Sequence, residues 1–144
     1  MWSVTDKENQ SIKIDRKNKK VTLAQYASVK PDEEYGKADT SAPGDLVNKI
    51  EMDKTGKKIT TVAGKDKVTE VLDGSAEKRT LAFGGGVSVE EDGAGKKVTW
   101  TVGGVTVIYD GNSNKISLTA GSTIINIDGG SGKIELSGSL VDVS

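Results

Sequence analysis

The chain repeats itself six times, and that repeat limits what it can fold into more than any single residue does. The unit is an apolar-x-apolar triplet, an Asp usually followed by Gly, a short polar stretch, a Lys, and a second apolar-x-apolar triplet. Its copies run from Asp15 to Leu23, Asp53 to Thr61, Asp73 to Leu81, Asp92 to Trp100, Asp110 to Leu118 and Asp128 to Leu136, and each places Lys five residues after its Asp. The last three copies are 18 residues apart, and apolar residues there recur at half that interval: Val89, Val98, Val107, Ile116, Ile125, Ile134 and Val143. So regular a period predicts stacked strands along an axis, each unit covering its neighbour's apolar face.

Composition argues against an ordinary globule. Of 144 residues only 34% are apolar and 4% aromatic, with 18 glycines and two prolines, against an apolar share nearer 45–50% (roughly, Gly included) in typical domains. Disorder is the bland alternative, yet the apolar residues are mostly Val, Ile and Leu in strict alternation, which polar tracts do not maintain. Its best place is residues 24 to 49. Twenty basic and 21 acidic residues are interspersed, for a net charge of -1. They form no basic stripe, so no nucleic-acid partner is expected. Cysteine is absent, which removes disulfides and thiolate metal sites. The residues after Met1 turn polar within three positions, unlike a signal peptide, and no apolar run approaches the ~20 residues of a membrane helix.

Each unit reads as strand, tight turn, strand. In runs such as Asp110-Gly111-Asn112-Ser113-Asn114, Asp-Gly and its polar neighbours are expected to supply the positive φ and side-chain-to-backbone bonds of a turn. A second punctuation follows at Gly64, Gly84, Gly103, Gly121 and Gly138, so the chain reverses twice per repeat. Residues 1–49 read as an N-terminal attachment region with one hairpin, a long loop and one helical turn at Asp45–Lys49. Residues 50–144 read as a repetitive shaft and tip. Such short strands cannot bury an apolar face alone, and open edges invite aggregation. Wrapping three copies around one axis answers both problems. The expected fold is therefore all-β, a homotrimer intertwined around a common axis, which the resemblance given below makes a triple-stranded β-helix.

Its expected structural core is Val89, Val98, Trp100, Val107, Ile116, Leu118, Ile125, Ile127, Ile134 and Leu136, and Leu140, Val141 and Val143 form the tip. Trp100 takes the slot of Leu118 and Leu136, which favours packing over ligand stacking, and Tyr109 takes the slot of Met52 and Ile127. The lysines at 58, 78, 97, 115 and 133 fall opposite the apolar stripe as a solvated ladder. Chemical sites fare poorly. Repeat-in-toxin calcium motifs need Gly-Gly-x-Gly-x-Asp in consecutive turns, and only Asp128-Gly129-Gly130-Ser131-Gly132 comes near. Gly84-Gly85-Gly86 lacks the Gly-Lys-Ser/Thr of a phosphate loop. Glu90 and Glu91 are adjacent on a strand and point to opposite faces. With no His, no Cys and no motif around any Ser, the expectation is no catalysis, no cofactor and no metal.

The runs Gly103 to Gly111, Asn114 to Ser122 and Ile124 to Ile134, with the apolar ending Ser139-Leu140-Val141-Asp142-Val143-Ser144, resemble the triple-stranded β-helix of contractile-tail central spikes. That family comprises phage baseplate cell-puncturing proteins and the valine-glycine repeat proteins of type VI secretion. The resemblance covers about residues 50 to 144. It implies a homotrimeric membrane-piercing spike in the virion, at the tail baseplate tip. Its implied partners are tail tube or baseplate hub proteins at the N-terminal end, a tip-capping protein, and the bacterial outer membrane as target. Two departures stand out. Forty-nine residues are too few for the oligonucleotide/oligosaccharide-binding barrel that often precedes the helix, and the absence of histidine rules out the His-x-His tip iron of some phage spikes. Two other readings stay open: a monomeric β-solenoid or calcium-stabilised β-roll adhesin or secreted module, and a fibre or scaffold without a piercing role.

Overall fold

The computed structural model describes residues 1–5, 10–26 and 46–139. Alternation between apolar and polar residues, broken by Asp, Gly and Lys, yields thirteen strands and no helix among the described residues. The chain divides into two units, Met1–Ser75 and Ala76–Ser144. The first holds β1 (Trp2–Thr5), β2 (Gln10–Asp15), β3 (Lys20–Tyr26), β4 (Leu46–Asp53), β5 (Lys58–Ala63) and β6 (Val68–Asp73). The second holds β7 (Lys78–Phe83), β8 (Val87–Asp92), β9 (Lys97–Val102), β10 (Val105–Asp110), β11 (Lys115–Ala120), β12 (Thr123–Asp128) and β13 (Lys133–Ser137). Within each unit every strand pairs antiparallel with its sequence neighbours, giving an open meander.

Among the described residues the strands of each unit touch only the strands next to them, so no second layer of strands lies on the apolar side within a unit. Burial is accordingly slight. Among the described residues only Ala24 and Val62 are buried, at 8% and 6% exposure. Both lie on the polar face, where Lys49 stands between them in register, so what hides them is local crowding by long side chains and not a second layer.

The turns after Asp supply the expected side-chain-to-backbone bonds and positive φ, with the positive φ in the polar run and not at the Gly next to Asp. The Asp carboxylate accepts backbone N–H groups two and three residues on, as Asp53 does from Thr55 at 2.9 Å and Gly56 at 3.0 Å. The positive φ comes later, at the residue before the repeated Lys: Lys19, Lys57, Glu77, Lys96, Asn114 and Gly132. The Gly after Asp is needed for another reason. Its N–H donates to the carbonyl of that left-handed residue in an earlier turn, with Gly74 to Lys57 at 2.9 Å, Gly93 to Glu77 at 2.8 Å and Gly111 to Lys96 at 2.8 Å. A Cβ there would stand 3.1–3.2 Å from the same oxygen. Close approach, not φ, favours glycine here, and the equivalent bond from Lys54, which carries a Cβ, is longer at 3.1 Å.

At the opposite end the turns shorten, and Gly103-Gly104 and Gly121-Ser122 join their strands by two-residue loops with positive φ at Gly103 and Gly121. The expected helical turn at 45–49 is absent where it can be seen. β4 already begins at Leu46, and Asn48 and Lys49 pair with Gln25 and Ala24 in a ladder that a helix would break. Residue 49 thus lies inside a strand paired to β3. The expected loop falls mostly outside the described residues, as do the tip residues Leu140, Val141 and Val143.

Candidate functional surface

Register assigns every strand residue of the second unit to one of two faces, because directly opposed residues share a face and successive residues alternate. Val107 opposes Trp100 and Leu118, Leu118 opposes Ile125, and Ile125 opposes Leu136, while Trp100 opposes Val89. A second row runs Val98, Tyr109, Ile116, Ile127, Ile134. All ten residues expected to form the core therefore lie on one face. They line a surface of the single chain, not an interior: Trp100 is 48% exposed, Ile134 65% and Leu136 51%.

A third row, near the glycine turns, was not singled out from the sequence. Phe83, Val87, Val102 and Val105 oppose one another in succession and extend the same face. Their signal was present in the apolar residues flanking Gly84-Gly85-Gly86 and Gly103-Gly104. Two aromatic rings stand out of the surface. Trp100 and Tyr109, on β9 and β10, meet edge to face with ring centroids 5.6 Å apart. At its β7–β8 border the face turns polar, where Arg79 donates to Glu91 at 3.3 Å.

The opposite face carries Thr, Ser and the charged ladder. Lys78 reaches Asp92 at 2.9 Å, Lys115 reaches Asp128 at 3.4 Å, and in the first unit Lys58 reaches Asp73 at 2.7 Å and Lys20 reaches Asp53 at 3.2 Å. Midway along the strands Ser117 donates to Asn126 at 2.6 Å. Asp53, Asp92, Asp110 and Asp128 of this face are held below the ordinary aspartate value. For Asp92 the main cause is Lys78, followed by the Gly95 N–H; for Asp53 it is the Gly56 N–H, followed by Lys20. Asp110 and Asp128 owe their shift chiefly to the N–H groups of Ser113 and Ser131.

A carboxylate so engaged is a poor proton carrier near neutral pH. Asp128, in the run closest to a calcium motif, spends one oxygen on the N–H groups of Gly130 and Ser131 and the other on Lys115. Glu90 and Glu91 fall on opposite faces, opposing Thr99 and Val98. No group of three or more metal-ligating side chains gathers among the described residues. The second unit thus presents one apolar face and one face that carries the charge ladder.

No family profile matches the sequence, and no curated protein does. Among solved structures the chain is similar to the SAS-4 (dCPAP) TCP domain of Drosophila melanogaster, determined in complex with a proline-rich motif of Ana2 (dSTIL). The identity is 9% and the TM-score 0.52, over 94% of this chain and 87% of that one. At that identity the likeness is one of fold.

Proposed function

We propose that this chain is a non-enzymatic structural element that assembles with two further copies of itself into a needle of the contractile-tail spike type. The observation that carries this reading is the apolar face of the second unit: contiguous across neighbouring strands, uncovered in a single chain, and backed by a charged ladder that keeps the outside in water. Soluble monomers rarely expose a contiguous apolar patch beyond a few hundred Å². Three copies turned face inward would bury it. Strand exchange could then complete an intertwined triple-stranded β-helix, or the hairpins could pack intact; both keep the same residues inside. The resemblance of residues 50 to 144 to central spikes supplies the rest. In that setting the needle sits at the baseplate tip of a phage tail or related injection machine, is held by hub or tube proteins at its N-terminal end, carries a capping protein, and pierces the bacterial outer membrane.

The test is solution mass by light scattering. A value three times 15.1 kDa supports the needle, and a monomer at every concentration removes it.

A second reading is favoured by one observation, the exposed Trp100–Tyr109 pair. Proline-rich segments dock against exposed aromatic rings, and the SAS-4 TCP domain was solved with such a motif. Under this reading the face receives an extended peptide. Quenching or shift of Trp100 fluorescence on titrating a proline-rich peptide would favour it, and no response alongside a trimeric mass would discard it.

A further inference from the structure

The first unit departs from the repeat in one direction. Where later copies have Gly after Asp, the first two have Arg16 and Lys54; before the repeated Lys the later copies have Glu77, Lys96, Asn114 and Gly132, whereas the first two both have lysine, Lys19 and Lys57. The first copy adds Lys17. Thirty-eight positions separate these two turns in sequence, but β3 pairs with β4 and the Lys54 N–H donates to the Lys19 carbonyl at 3.1 Å, so they are neighbours. The carboxylates at hand are already engaged. Asp15 accepts from the N–H and the side chain of Asn18, while Asp53 holds Lys20 and its own turn. Arg16, Lys17, Lys19, Lys54 and Lys57 are exposed and make no ion pair among the described residues.

The same edge is apolar on one side. An open groove is lined by Arg16, Lys19, Lys54 and Lys57, with the engaged Asp15 and Asp53 beside them, and by Met52 and Ile59, which are 40% and 42% exposed. The row that contains them ends at Trp2, opposite Ile14 and 54% exposed. Cations and aliphatic side chains lining one groove, with a Trp at the margin, together match the chemistry of a bilayer's interfacial zone.

We propose that this edge of the first unit docks on an anionic phospholipid surface, the cations on headgroup phosphates and the Met52–Ile59 row against the acyl boundary. A nucleic-acid duplex would use the cations but leave the apolar row in water, which favours lipid. The docking requires that an assembly through the second unit leave the Met52–Ile59 row uncovered.

Co-sedimentation with vesicles tests it. The chain binds vesicles of equal parts phosphatidylcholine and phosphatidylglycerol and not phosphatidylcholine alone. Since each basic residue near an acidic surface contributes about five-fold in affinity, the double variant Arg16→Gln/Lys54→Gln binds roughly thirty-fold more weakly. Lys96→Gln, at the equivalent turn of the second unit, leaves binding unchanged. Circular dichroism confirms that the variants fold, and Met52→Gln checks the apolar contribution by weakening binding with every cation present. The proposal is overturned if acidic vesicles are not bound, if the double variant binds like the parent, or if a short DNA duplex competes fully at equal charge.

Discussion

At the scale of single residues, the most legible feature was the repeat and the least legible was what its glycine does. The Asp-Gly pair announces a turn, and a turn is there, but the left-handed residue is three positions beyond the glycine and is usually Lys, Glu or Asn. The reason for glycine is a carbonyl from another turn, a contact no local pattern reveals. This gives a test. Gly93→Ala sets a methyl 3.2 Å from the fixed Glu77 carbonyl, whereas Gly104→Ala meets nothing within 4 Å. We expect Gly93→Ala to lower stability by about 1 kcal/mol and Gly104→Ala to stay within about 0.5 kcal/mol of the parent. Equal losses in urea titration would mean that the turn-to-turn bond is not what holds glycine in place.

At the scale of strands, period-two alternation placed the ten apolar residues on one face correctly, since a strand has only two faces to offer. What alternation does not encode is what lies over that face: in a single chain it is a surface, and it becomes the expected core only where further copies cover it. Ile116→Asp separates the two conditions. Ile116 is 38% exposed in one chain, so the substitution costs that chain only about 1 kcal/mol of strand preference. In a trimer it would bring three unpaired carboxylates together, and assembly should fail. Light scattering reads the second effect and thermal melting of the dissociated chain the first; a variant that stays trimeric would show that this face points outward. The charged ladder makes its own prediction. Folded aspartates with lowered pKa bind protons less readily than unfolded ones, so their contribution is present above the unfolded aspartate value, near pH 4, and lost as pH falls through the folded values. Lys20 and Lys78, raised by their carboxylate partners, retain their contribution at neutral pH and lose it only as pH rises through their folded values. The urea midpoint should therefore fall between about pH 5 and pH 3, and a flat midpoint would leave the ladder without a role in stability.

At the scale of the whole chain, all-β character was legible from composition and period, and neither the short helical turn nor the basic edge of the first unit was read correctly from the sequence. The former failed because strand pairing with β3 overrides local preference; the latter because cations 38 positions apart meet only after the sheet forms. The calcium question is decided at this scale too. If the Asp turns are held by backbone N–H groups and lysines, chelator withdraws nothing from the folded state, and the melting temperature should not move. A fall in chelator that added Ca²⁺ reverses would instead establish the β-roll reading.

The hydrogen bond from each turn to an earlier one also bears on how such a chain changes over generations. Asp92, Asp110 and Asp128 recur at intervals of 18, and the bonds Gly111 to Lys96 and Gly129 to Asn114 each tie one such interval to the one before. Because no strand in a unit touches any but its immediate neighbours, a block of that length can be duplicated or excised in frame while every remaining junction keeps an equivalent backbone partner. Length is then a nearly neutral character, free to drift or to be selected, and the gene carries a ruler whose graduations are the Asp codons.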